Sequence, residues 1–135
     1  MEPHAFARSC RTLARQLQGV PDTVARAIET KATDAVARPL ADKIARAFTG
    51  PYAPVLSAST LPVSQPLGVT IGGSRSVSGG ATASLLVWPN EYGGRARQFR
   101  RARPAIGPAV EQAADTIVTA MGELAAEAIE ESTRR

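Results

Sequence analysis

Residues 103–132 read RPAIGPAVEQAADTIVTAMGELAAEAIEES. Within them Ile106, Val110, Ala113, Ile117, Met121, Leu124 and Ala128 recur at steps of three and four, the spacing that gathers side chains on one face of an α-helix. Glu111, Asp115, Glu123, Glu127, Glu130 and Glu131 take the opposite, polar side, and no base occurs between Arg103 and Arg134. Pro104 suits a first turn, where its missing N–H is not needed. The pattern predicts one long amphipathic helix over residues 104–133. A helix of that length, apolar on one stripe only, needs other elements of the chain to cover it.

Those elements lie upstream. Val24, Ile28, Ala32, Val36, Leu40, Ile44 and Phe48 recur every four residues and predict a helix over 22–48, begun at Pro21-Asp22-Thr23. Its apolar stripe is slanted and suits a crossing partner. Pro39 removes one backbone donor inside it, so a kink or break is expected near Val36. Phe6, Cys10, Leu13 and Leu17 predict a shorter helix over 3–18, ended by Gly19. From Thr49 to Gly94 five prolines and eight glycines replace the helix formers. Strands are expected at Leu67 to Ile71 and Thr82 to Trp88, joined by a Gly/Ser-rich hairpin connection over 72–80, with a short edge strand between Val55 and Val63. The connection reads either as a plain surface loop or as a tip that orders against a partner.

The expected fold is therefore α+β in a single domain of 135 residues. N-terminal helices (1–48) precede a small central antiparallel β-sheet with long loops (49–94), a basic connector (95–103), and the C-terminal amphipathic helix (104–133) packed on the sheet. Apolar residues make up 44% of the chain, but 25 of them are alanines and only six residues are aromatic. Such a core is thin and favours close helix packing or support from neighbouring subunits.

Composition also bears on chemistry. One His, His4, and one Cys, Cys10, cannot make a disulfide, a zinc site or a Ser-His-acid triad of the usual kind. Cys10 reads as a small buried hydrophobe. Glu91 stands isolated from other acids, which leaves no paired carboxylates around it. No enzyme activity, metal or cofactor is expected. With no apolar run of 18 residues and Arg8, Arg11 and Arg15 near the start, neither a membrane span nor a secretory signal is expected, and synthesis is expected in a cytoplasm.

Charge is distributed in two blocks. Residues 1–103 carry a surplus of eight bases, and residues 104–135 a deficit of four. The densest cluster is Arg95, Arg97, Arg100, Arg101 and Arg103. It has the charge to meet a phosphate backbone, and equally to pair with the acidic side of a neighbouring copy. No interleaved aromatics or helix-turn-helix spacing accompany it. A basic half and an acidic helix suit a head-to-tail contact between identical subunits, which closes into a ring when the rotation permits.

The order of elements, with Asn90-Glu91-Tyr92-Gly93-Gly94 after the β half and then Gln98-Phe99 and Arg103-Pro104-Ala105-Ile106 opening the last helix, resembles the small tail-completion and tail-terminator proteins of long-tailed bacteriophages. Glu91-Tyr92-Gly93 corresponds to that family's acid-aromatic-Gly element, and Phe99 with Arg103 to Ile106 corresponds to its Phe and Arg-Pro-Ala-aliphatic element. The chain departs from the family in lacking an Arg directly before Thr49-Gly50 and in the spacing added by Arg100-Arg101-Ala102. The resemblance implies a structural virion subunit that forms a ring, of six copies, at the head-proximal end of the tail. Its partners would be further copies of itself, the tail tube protein and the head–tail connector or stopper protein, with DNA passing through the channel without sequence-specific binding. Contact candidates are Arg95, Arg97, Arg100, Arg101, Arg103, Glu91, Tyr92 and Arg75. Glu111, Asp115, Glu123 and Glu127 face either the channel or solvent. The competing expectation is a cytoplasmic nucleic-acid-binding accessory protein that uses the Arg95–Arg103 cluster.

Overall fold

The computed structural model describes residues 4–5, 8–9, 11–12, 15, 18–64, 67–73, 82–96 and 99–134. Among these, α1 spans Asp22–Ala32, a π-helical turn Thr33–Ala37, α2 Arg38–Ala47, α3 Ala53–Ala58, β1 Leu61–Ser64 and β2 Leu67–Thr70. A 3-10 turn at Ala83–Leu86 then leads into α4 at Val87–Tyr92, and α5 runs over Ile106–Thr133. The fold is α+β: helices, one two-stranded antiparallel sheet and a long C-terminal helix. The stripe Phe6, Cys10, Leu13 and Leu17 expected of the first helix lies outside the described residues, as do Arg75, Arg97 and most of the 72–80 connection.

The interruption expected near Val36 takes the form of the π turn. Arg38 N–H bonds Thr33 O, one residue further back than in an α-helix. This extra residue sits just before Pro39, whose ring would collide with the carbonyl four residues back in a regular helix. The chain stays helical from Asp22 to Ala47. Val24, Ile28, Ala32, Val36, Ala41, Ile44 and Phe48 are buried along it.

The β region differs from expectation in two places. The stretch Val55 to Val63 is not one edge strand: its first half is α3, and only its second half becomes β1. Ser57 Oγ donates to Ala45 O at 2.6 Å, Leu56 is fully buried, and Thr60 Oγ1 donates to Leu56 O at 2.7 Å. These bonds tie a short helix to α2 and close its end. The second difference is Thr82 to Trp88, where only Thr82 is extended and the chain is helical from Ala83 onward. Ala83, Leu86, Val87, Asn90 and Glu91 are buried, a spacing of three and four that the apolar content of the segment masked. The hairpin is therefore β1–β2, in register Leu61↔Thr70 through Ser64↔Leu67, and the 72–80 connection does not join two strands. Gly72, two residues beyond β2, has φ +91°, and a Cβ there would lie 2.6 Å from Ser84 N and Cα. Only glycine lets the hairpin approach the 3-10 turn this closely.

α5 lies along α1 and α2, and the hairpin packs on the same long helix around its π turn. Ile106 and Val110 join Val69 of β2 and the following Ile71 around the main core of Ile44, Phe48, Leu56, Leu86, Val87, Phe99, Ala105 and Ala109. A smaller cluster, Val24, Ile28 and Ala128, closes the far end. The deepest positions of α5 are Ala109, Ala114, Ile117, Ala125 and Ala128. Alanine at the contact line lets helix backbones approach closely, as the composition suggested. Pro104 precedes the helix instead of opening it: Ala105 is the N-cap.

Candidate functional site

The start of α5 has no local cap. Residues 99–105 contain no Ser, Thr, Asp or Asn, the residues that usually accept from free amides at a helix start. Glu91, at the end of α4, fills that role from 14 residues upstream. Its Oε2 accepts from Ala105 N at 2.7 Å and Ile106 N at 3.0 Å, and its Oε1 accepts from Gly107 N at 2.8 Å. Pro108 has no N–H, and Ala109 N bonds Ala105 O at 3.1 Å. Every backbone donor at this terminus is accounted for. Glu91 is only 2% exposed, and a carboxylate at a helix N-terminus meets both the free amides and the positive end of the helix dipole.

The segment between Glu91 and α5 is folded back onto the end of α4. Gly93 N bonds Pro89 O and Gly94 N bonds Phe99 O, both at 2.8 Å, and Arg103 N bonds Asn90 O at 2.8 Å. Gly93 has φ +85°, and a Cβ there would lie 3.3 Å from Phe99 O and 3.6 Å from Ala102. Phe99 is buried and stacks on Tyr52 with ring centroids 5.3 Å apart. Asn90 Nδ2 is buried beside this knot with no hydrogen-bond partner among the described residues. The short motifs singled out in the sequence, Glu91-Tyr92-Gly93, Phe99 and Arg103 to Ile106, thus form one local structure. Within it Glu91 is a structural cap whose oxygens are occupied.

The arginines around the knot divide. Arg103 is half-buried and lies across Gly50, where a Cβ would fall 2.7 Å from Arg103 Cδ at a φ of +94°. Arg95, Arg100 and Arg101 are exposed and form no ion pair among the described residues. Arg75 and Arg97 were also expected contacts but lie outside the described residues.

One feature of this end was missed in the sequence. Leu85, Trp88 and Tyr92 are 66%, 58% and 74% exposed and follow each other at three and four residues, so they form one outward stripe along the 3-10 turn and α4. Trp88 and Tyr92 stack with centroids 5.7 Å apart and planes 16° from parallel. Reading 82–88 as a strand hid the stripe, because helical spacing is what separates its outward residues from the inward ones. Arg95 follows this stripe closely in the chain, three residues after Tyr92. Residues 99–102 run back beside Gly93, directly after Tyr92.

The acids of α5 are all exposed, but they do not share one line. Glu111, Asp115, Glu123 and Glu127 recur at multiples of four residues, which drift around a 3.6-residue helix until the first and last lie roughly 160° apart. Glu127 turns toward α1 and pairs with Lys31. Glu130 pairs with Arg134 at 2.7 Å.

No group of three or more His, Cys, Asp or Glu side chains able to hold a metal occurs among the described residues, and no described helix is long and apolar enough to cross a membrane. Set against protein-family models, curated proteins and solved structures, the chain finds no significant match in any of the three.

Proposed function

We propose that this chain is a structural virion subunit, several copies of which form a ring at the head-proximal end of a long phage tail, completing or terminating the tube, joining it to the head–tail connector and leaving a channel for DNA. The observation that carries the reading is the separation of charge along α5. The exposed Arg95, Arg100 and Arg101 gather at its foot, and Glu123 stands about 25 Å further along its axis. A chain with a basic segment before the foot of α5 and a run of acids along the helix itself suits contacts between unlike surfaces of identical copies, the geometry that generates rings. The knot around Glu91 supports the same reading. The motifs that resemble tail-completion proteins are scattered in sequence yet act together to set how the last helix leaves the core.

The test is electron microscopy of the purified protein mixed with tail tubes. Closed rings capping tube ends support the proposal, and their rotational symmetry gives the copy number. Bare tube ends at saturating protein sink it. A second reading, nucleic-acid binding, draws on Arg95, Arg100 and Arg101, which are exposed and form no ion pair among the described residues. It expects duplex DNA binding that weakens steeply with salt and is lost when Arg95, Arg100 and Arg101 are replaced by Ala.

A further inference from the structure

We infer that the outward stripe Leu85-Trp88-Tyr92 with its flanking arginines is the socket for the C-terminal half of α5 of a second copy of this chain. The inference rests on the self-assembling subunit proposed above and names the two surfaces that meet.

The first surface is apolar with a basic rim. Three large hydrophobic side chains, each more than half exposed, lie in one line; Arg95 follows Tyr92 by three residues, and Arg100 and Arg101 belong to the segment tied back to Gly94 and Asn90 by the bonds from Gly94 N to Phe99 O and from Arg103 N to Asn90 O. Large aromatic side chains and arginine are the residues enriched where proteins bind each other, and charges at the rim steer and orient the partner. The second surface is complementary. Ile129, 41% exposed, and the exposed Ala126 form an apolar strip on the last turns of α5, flanked by Glu123 and by Glu130, whose exposed pair with Arg134 would exchange for the partner's arginines. All four lie within about 120° of the helix circumference, so one straight helix edge offers them together. Joining the two covers the apolar residues on both sides and sets the arginines against the carboxylates.

The geometry favours a protein occupant over single-stranded nucleic acid. Trp88 and Tyr92 stack on each other, so their facing sides are already covered and no base fits between them, and Leu85 extends the line with an aliphatic side chain that bases do not stack on. Because stripe and helix edge are different surfaces about a helix length apart, the contact is head-to-tail and leaves one surface of each kind open on every pair.

The test uses the full chain with Cys10→Ser as background. Ala96→Cys, beside the arginines, goes into one preparation and Ala126→Cys into another. Ala96→Cys leaves every proposed contact in place, and Ala126→Cys exchanges one small exposed residue of the strip for another of similar size. A short bismaleimide is expected to give at least tenfold more cross-linked dimer in the mixture than in either preparation alone. Reversing Glu123 and Glu130 to Lys should remove that dimer, and reversing Arg100 and Arg101 to Glu in the other preparation should restore it. Trp88 is the only tryptophan in the chain, so its emission should shift to the blue with rising concentration of the unmodified protein. Cross-linking of either preparation with itself at the level of the mixture, or no dimer and no shift at high micromolar concentration in low salt, overturns the proposal. So does quenching of Trp88 by a single-stranded oligonucleotide without self-association. Rings on tube ends without this cross-link would leave the tail role standing and the contact wrong; the cross-link with bare tube ends would do the reverse.

Discussion

The two ends of α5 treat the same chemical group in opposite ways. At its foot, Glu91 is buried and each oxygen is held by backbone amides at 2.7–3.0 Å. Toward its far end, Glu123 and Glu127 are exposed, and Glu127 pairs with the flexible Lys31. A carboxylate that replaces its water shell with three fixed donors holds a geometry; one that keeps its water contributes charge and little else. The foot is thus the structural joint, and the far end is a charged surface.

The largest effect is expected from breaking the joint. Glu91→Ala leaves three amides without their acceptor and opens space in the core margin, and should cost about 4 kcal/mol. Glu91→Gln keeps the volume but loses the charge and one acceptor oxygen, and should cost about 2 kcal/mol. Urea unfolding measures both. Hydrogen exchange should show the Ala105, Ile106 and Gly107 amides losing protection first. If either variant unfolds like the parent, the cap is not what holds α5 in place.

How much of this contrast could be read in the sequence follows from what is local. Periodicity found α5 and the long N-terminal helix, and Pro39 marked the π turn, because a ring clash and a missing donor act within four residues. The segment 82–88 failed for the opposite reason. Val87 and Trp88 favour strands, and the helix there is selected by burial of Ala83, Leu86, Val87, Asn90 and Glu91 against distant parts of the core. With that assignment went the exposed stripe. The cap was half legible: residues 99–105 have nothing able to close the helix, so an acceptor had to arrive from elsewhere, and Glu91 is the first acid upstream. Its isolation in the sequence signalled a structural duty more than an unused one.

A second break concerns the approach of the hairpin to the 3-10 turn before α4. Gly72→Ala places a Cβ against the Ser84 backbone at a φ of +91°; Gly72 cannot retreat without losing the bond from its N–H to Ser59 Oγ at 3.0 Å, and the turn is held by the fully buried Ala83. The cost should be roughly 3 kcal/mol. Gly50→Ala shares the positive φ but meets only the flexible side chain of Arg103, so its cost should be smaller, near 1–2 kcal/mol. Equal losses in thermal unfolding would mean that backbone angle alone matters and the close approach does not.

Gly107 sharpens the comparison within the joint itself. It donates to Glu91 through its backbone, and a Cβ there would lie 3.5 Å from Glu91 Oε1, an ordinary contact. Gly107→Ala keeps the hydrogen bond and reduces the freedom of the unfolded chain, so stability should rise by about 0.5 kcal/mol. A loss of stability would show that the amides need more room around the carboxylate than the distances imply.

The smallest effect belongs to the exposed end. Lys31 and Glu127 link α1 to α5, but their side chains remain about half exposed, at 55% and 48%. Water and salt screen such a pair, and ordering two long side chains offsets part of the attraction. A double-mutant cycle with Lys31→Ala and Glu127→Ala should give a coupling of about 0.5 kcal/mol, and it should fade between low and high salt. A coupling near that of Glu91 with its amides, insensitive to salt, would mean that both ends of α5 are joints. The division between a fixed foot and a charged outer surface would then fail, because ionic contacts elsewhere on the helix could not form without disturbing the core.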